Sequence, residues 1–401
     1  MNNLKQLLSK NSLFLLVIGM LYLAGTNLAT TFINVYLVRV TNNIGIIIIQ
    51  NIINYATLLL AFMLATKLII KISLNFILKL GIVATLLYYL CILLLQEKTS
   101  LFLIPLGLFN GMGQGFYYFS FNLLVGQLVK EKEQGRFFSW QQSFSYLFGV
   151  ITPTVSGYII VRFTQLTGYY LLFLTAVILF GLGMIISSQI ANINLDAKMN
   201  VLKVLKLKGN VYWDSNKYYH LSNGVREAIF NQIFTVFAYS IIANEQIIGQ
   251  YNSMMAVIGI FSSVFIASRF NRYNQKKYHL IASIIYFVIM LLLGVFKTPG
   301  TSLLVYLGLG IVYCWNQTLF QSMKYQLASR AKAGFNQEDY IVSCEFFIAL
   351  GRITGLTIAL LLCNFMPLNN AYSLLIIFDG MLWLVDHYVI NKKVNWLEKE
   401  L

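Results

Sequence analysis

The chain has 401 residues, of which 58% are hydrophobic, 15% aromatic and only 11% charged. That balance excludes an ordinary water-soluble globular protein and points to a chain whose main solvent is lipid. A formal net charge of +15 would suit a nucleic-acid surface, but the Lys and Arg residues are distributed in the manner of a membrane protein instead.

Apolar stretches long enough to cross a hydrocarbon layer about 30 Å thick as helices recur at 12–38, 44–66, 76–95, 101–128, 138–162, 168–190, 218–243, 247–268, 279–296, 301–323, 341–363 and 370–391. They predict twelve transmembrane helices and an all-α fold. The first stretch runs past residue 30 without an A-x-A-like cleavage site, so it reads as a retained helix. It carries Tyr22, Thr26, Asn27, Thr30 and Asn34. The loop after the second span, TKLIIKISLN, holds Lys71. On the fourth span Gly107, Gly111 and Gly115 repeat every four residues, which predicts tight helix packing, beside the polar Asn110, Gln114, Tyr117 and Tyr118. The fifth contains GVITPTVSG, where Gly149 and Gly157 flank Pro153, a composition that suits close approach and a bend.

Between the sixth and seventh spans lies NINLDAKMNVLKVLKLKGNVYWDSNK, basic and weakly amphipathic, which reads either as a solvated loop or as a segment resting partly on anionic lipid. It separates a first domain, 1–190, from a second, 218–401, as a linker over 191–217. The seventh span brings Arg226, and then Glu227, Asn231 and Thr235 in steps of four that predict one shared face. Arg269 and Arg272 follow the eighth span, and Tyr313, Gln317 and Gln321 lie on the tenth. The eleventh contains EFFIALGRITG with Glu345 and Arg352, and the twelfth holds Asp379, with Asp386 and His387 expected at the membrane interface.

With both termini inside, four basic residues fall in outer loops (Arg39, Lys98, Arg162, Lys297) and two within spans, leaving 23 inside or at inner helix ends. This bias predicts a multi-pass plasma-membrane protein with cytoplasmic termini and needs no nucleic acid. Cys91, Cys314, Cys344 and Cys363 show no disulfide or zinc spacing and read as core thiols. The three histidines, His220, His279 and His387, sit at predicted helix ends, and no HExxH, GxSxG or phosphate-cradling loop occurs. Neither an enzyme nor a metal or cofactor site is expected.

Shifted by 202 residues, SFSYLFGVITP (143–153) overlays EFFIALGRITG (345–355), so the chain reads as an internal duplication. Twelve spans in two related halves joined by a basic linker resemble the major facilitator superfamily of secondary transporters, over essentially the whole chain. The superfamily's GxxxDRxGRR loop is degenerate here: TKLIIKISLN keeps Lys71 but lacks the acid, and SRFNRYNQKK keeps Arg269 and Arg272. GVITPTVSG is similar to the exporters' GxxxGPxxGG pattern, with Thr152 and Ser156 at usual Gly positions. The resemblance implies that helices 1, 4, 7 and 10 line a central cavity, hence that the polar residues named on those spans bind substrate. Neutral amides beside many aromatic rings would suit a small amphiphile.

A charge at mid-membrane costs roughly 2.5–3.5 kcal/mol on translocon scales, so each buried ion needs a partner or a wet cavity. Glu345 and Arg352, seven residues apart, are about 10 Å apart along a helix and too distant to pair. The expected pairs are therefore Glu345 with Arg226, and Glu227 or Asp379 with Arg352. Either these form a static network, or one carboxylate exchanges a proton as its partner changes. Glu227 is the first expectation for that acid, Glu345 the second. The resulting expectation is alternating access driven by protons, exporting a small amphiphilic or drug-like compound as an antiporter. The alternatives are lipid or glycolipid translocation, uncoupled facilitation and, in another class, an integral-membrane enzyme.

Overall fold

The structure, a computed structural model, describes residues 9–194, 200–269, 275–330 and 337–398, without the side chains of 131, 132, 134, 135, 202, 267, 268, 275, 276, 314, 316–330, 337, 338, 341 and 390–398. Two compact units, Met1–Met199 and Asn200–Leu401, divide the chain. The first contains α1 (Lys10–Thr41), α2 (Ile44–Leu68), α3 (Leu74–Leu95), α4 (Leu103–Leu128), α5 (Glu131–Arg162) and α6 (Thr167–Ser187). The second begins with a short helix, Val201–Leu205. There α7 spans Val211–Ile229 and runs through a π-helical turn, Phe230–Phe234, into Thr235–Ile242. It is followed by α8 (Glu245–Arg269), α9 (Gln275–Phe296), α10 (Pro299–Arg330), α11 (Gln337–Phe365) and α12 (Leu368–Glu398). Helix starts follow side-chain capping: Ser9, Asn43, Ser73 and Asn210 each accept a backbone N–H from the first turn of α1, α2, α3 and α7.

Nine helical runs among the described residues are long and apolar enough to cross a membrane. One of these runs joins α3 to α4 through the 3-10 helix Gln96–Phe102, and the polar helix α7 is outside the nine. The duplication seen in sequence recurs in packing. The pairs α1–α5, α2–α4, α3–α4 and α3–α6 have counterparts α7–α11, α8–α10, α9–α10 and α9–α12. On α4, Gly107, Gly111 and Gly115 lie against Gln50, Asn54, Leu58 and Ala61 of α2, so this stripe is a packing surface. A side chain at Gly111 would meet the backbone of α2, whereas one at Gly126 would meet nothing within 4 Å.

The second half of the segment expected as a free linker is instead folded onto its own bundle. Val204, Trp213, Tyr340 and Cys344 form a buried cluster with Leu207, and α7 starts at Val211 where a loop was expected. Trp213 Nε1 donates to the Val204 carbonyl (3.0 Å) and Lys217 Nζ to that of Leu207 (3.0 Å). Its buried apolar side chains pack against α11, while Lys206, Lys208 and Val211 remain exposed.

Both units fasten the segment ahead of their first helix to a carboxylate in the opening turn of their fifth. Glu133 Oε2 accepts the Ser9 N–H (3.0 Å) and the Ser12 hydroxyl (3.0 Å), and Asp339 Oδ1 accepts the Asn200 N–H (2.7 Å). A helix N-terminus favours negative charge there. The bond from the Ser9 backbone, with help from Ser12, holds the Glu133 carboxyl below the usual range. A depressed folded-state value means stabilisation that is complete above the unfolded glutamate range, near pH 4.3, and lost as pH falls through the folded value.

Two measurements test this packing. Gly111→Leu is expected to abolish a monodisperse size-exclusion peak while Gly126→Leu leaves it intact. Glu133→Gln is expected to lower the melting temperature by a few degrees at pH 7 and to flatten its decline between pH 5 and 3; an unchanged acid limb would show that this bond does not stabilise the fold.

Candidate functional site

Asp379, Trp383 and Asp386 stand at i, i+4 and i+7 on α12 and therefore share one face. Arg226 of α7 meets that stripe. Its guanidinium lies 3.6 Å from the centroid of the Trp383 ring, and Nη2 is 3.1 Å from Asp386 Oδ2 and 3.4 Å from Asn223 Oδ1. Asp386 Oδ1 accepts from the hydroxyls of Ser222 (2.7 Å) and Tyr218 (3.2 Å). Asp379 Oδ2 accepts the Tyr286 hydroxyl of α9 at 2.6 Å. Arg226, Asp379 and Asp386 are 4%, 2% and 1% exposed, yet Arg226 Nε and Nη1 and Asp379 Oδ1 have no hydrogen-bond partner among the described residues.

The neighbouring carboxylate, Glu227, is differently held. Its Oε2 accepts from Arg352 Nε (2.9 Å) and Nη2 (2.6 Å) of α11, and its Oε1 accepts from Asn223 Nδ2 (3.0 Å). Charge-assisted bonds from two guanidinium nitrogens fix its position. Close approach of the helices allows the pair: Gly224 packs on the backbone at Ile348, and Gly351 on that at Leu221. Arg226, Glu227, Asp379 and Asn223 line a small pocket. Its aromatic walls are Phe230, Tyr286, Tyr313 and Trp383.

Of the pairs expected from sequence, Arg352 meets Glu227, but Arg226 does not meet Glu345. Arg226 turns to Asp386, which together with His387 is buried. Helix α12 packs its charged stripe inward, so these groups escape both water and lipid. Glu345 is half-buried and forms no ion pair among the described residues. His220 is also buried, and His279 and His387 face each other, Nδ1 to Nδ1, at 2.9 Å. The expected common face of Glu227, Asn231 and Thr235 is broken by the π-helical turn, whose i→i+5 bonding adds a residue to one turn. Asn231 is exposed and Thr235 half-buried. Stacking of Phe230 on Phe234 (5.0 Å) and on Tyr313 (5.6 Å) packs that turn.

In the first unit the expected lining divides. Tyr22 and Tyr117 stack at 3.4 Å and are buried, with the Tyr22 hydroxyl 3.3 Å from Thr85, so they are core. Asn34 is buried with Asn51 (3.3 Å), and Thr26 and Thr30 bond to their own helix. Asn27, Asn110 and Gln114 are half-buried, the last two bonded at 3.1 Å, and Tyr118 is exposed. On α5, Pro153 sits inside one continuous helix, between half-buried Gly149 and buried Gly157, and Ser156 bonds to Leu28 of α1 at 3.2 Å. Lys71 and Arg269 are exposed. Arg272 and the side chains of Gln317, Gln321 and Cys314 lie outside the described residues. Sequence reasoning missed Trp383, Asp386 and Tyr286 as site members. The signal that could have found the first two is the i, i+4, i+7 spacing from Asp379.

Two all-helical units with related packing and a charged pocket within lipid-length helices define a polytopic membrane carrier. Residues 14–337 match the Major Facilitator Superfamily, and the chain belongs to that family. It is 28% identical over 395 residues to the uncharacterized protein YqgE of Bacillus subtilis (strain 168), covering 98% of this chain and 91% of that one. Its fold resembles that of a bacterial homologue of the iron transporter ferroportin in its inward-facing state, with TM-score 0.74, 14% identity and coverage of 96% and 98%. It also resembles that of the nucleoside transporter NupG, with TM-score 0.70, 12% identity and coverage of 96% and 100%.

A double-mutant cycle with Glu227→Gln and Arg352→Gln measures the pair directly. Arg352→Gln, which strands a charge, is expected to destabilise more than the double variant, with non-additivity of about 1 kcal/mol or more. Additive effects on unfolding would remove Glu227–Arg352 as an energetic unit.

Proposed function

We propose that this protein is a secondary active transporter of the plasma membrane, working by alternating access and exchanging protons for a small amphiphilic or drug-like compound. The observation that carries proton coupling is the setting of Asp379: a buried carboxylate lining the pocket, with one oxygen bonded to Tyr286 and the other without a hydrogen-bond partner among the described residues. A carboxylate so placed is costly while charged, and a proton removes the charge. Glu227, the acid first favoured by spacing, is paired with Arg352 and is read here as a fixed element of the pocket. Four aromatic walls favour an apolar or aromatic cargo over a multiply charged one. Outward transport rests on the resemblance of GVITPTVSG to the exporters' pattern, and cytoplasmic termini rest on the bias of Lys and Arg.

The test uses protein reconstituted in liposomes, with a cargo identified by thermal-shift screening. Asp379→Asn is expected to reduce pH-gradient-driven accumulation at least tenfold while leaving gradient-free exchange of cargo, and Glu227→Gln is expected to retain driven accumulation. Normal accumulation by Asp379→Asn would exclude it as the coupling acid. A wild-type protein indifferent to the gradient would favour uncoupled facilitation or lipid translocation on the same fold.

A further inference from the structure

Arg226 sits above the middle of a stripe that has a carboxylate at each end. Asp379 is four residues before Trp383 and Asp386 three residues after it, so the two acids are about 10 Å apart along α12. Along the axis Trp383, on whose ring the guanidinium is stacked, is about 6 Å from Asp379 and about 4.5 Å from Asp386. At present its Nη2 forms an ion pair with Asp386 Oδ2 at 3.1 Å that is not hydrogen-bonded, while its Nε and Nη1 and the Asp379 Oδ1 are buried without hydrogen-bond partners among the described residues. Two carboxylates share one cation.

No other described charge relieves the imbalance. Arg352 of α11 is bonded to Glu227, and α9 presents only Tyr286, on Asp379, and His279, paired with His387. From α7 the acids receive Ser222 and Tyr218, both on Asp386, and α10 adds the phenol of Tyr313 to the pocket wall. Neutral donors cannot replace the missing positive charge, so neutrality of the stripe requires one proton. In the arrangement described, that proton belongs on Asp379.

We propose that Arg226 slides across the face of Trp383 between Asp386 and Asp379, and that the stripe's single proton occupies whichever acid the guanidinium has left. An indole face suits this role because it holds a guanidinium by stacking without supplying a directional bond that must be broken. As Arg226 moves toward Asp379, the Asp379 proton departs and Asp386, left with Ser222 and Tyr218, takes up one. The exchange rests on the proton-coupled reading above and names its moving part. It also accounts for an Arg kept buried with two N–H groups unbonded: they are the groups that Asp379 receives in the other arrangement.

Infrared spectroscopy of the purified protein in nanodiscs, titrated with pH, counts the carboxylic-acid carbonyl band. Wild type is expected to show one titrating buried acid. Asp379→Asn is expected to lose it, since Arg226 keeps Asp386 ionised, and Asp386→Asn is expected to lose it too, since Arg226 then moves to Asp379. Retention of the full band in Asp386→Asn would mean that Arg226 is fixed and would overturn the exchange while leaving Asp379 as an acid. Absence of the band in wild type would instead remove proton coupling at this stripe altogether. Should Asp386→Asn fail to fold, the emission of Trp383, obtained as wild type minus Trp383→Phe, serves in its place. A shift with the same pH midpoint as the infrared band supports the slide, and emission that does not change with pH refutes it.

Discussion

Lipid cannot solvate a charge, and this constraint organises the second half of the molecule. A fully buried ion within the helices needs an answering group, because an unpaired buried charge costs several kcal/mol. Glu227 is answered by Arg352 through two bonds, and Arg226 by Asp386. Asp379 alone among these is answered only by a phenol. The close fit of α7 against α11, at Gly224 and Gly351, brings the first pair together, and the inward stripe of α12 brings the rest.

The two units solve the same packing problem with different chemistry. In the first, α3 and α6 meet through Tyr89, Phe173 and Phe180, an aromatic seam. In the second, the corresponding α9 and α12 meet through Tyr286 on Asp379 and His279 on His387. A duplicated scaffold has thus been given a charged interior on one side only. The shared scheme of helix pairs shows that the first unit reaches the same packing without these ion pairs.

Local irregularity is concentrated beside the site. The π-helical turn of α7 begins at Phe230, one of the pocket walls, three residues after Glu227. Such turns commonly mark functional positions, since an inserted residue re-aims the side chains that follow. Here it turns Asn231 out to the surface and leaves Phe230 stacked on Tyr313.

The sequence alone determined that the chain lives in lipid, that it is helical throughout its spans, that its halves are related, and that its buried charges sit in the later half. Those properties are written in run length, repeat and composition, which need no coordinates to read. It also placed Arg352 opposite Glu227 or Asp379, because opposite charges at similar depth have few other choices. Only tertiary structure decided which partner each ion takes. Arg226 reaches Asp386 instead of Glu345 because α12 turns its i, i+4, i+7 stripe toward α7, a rotation fixed by packing and not by spacing. The π-helical turn carries no Pro or Gly to announce it, so the steps of four from Glu227 gave a face that the folded helix does not present. The basic linker, read from its charge, is held by Trp213 and Tyr340, residues whose contact depends on chain segments more than a hundred positions apart.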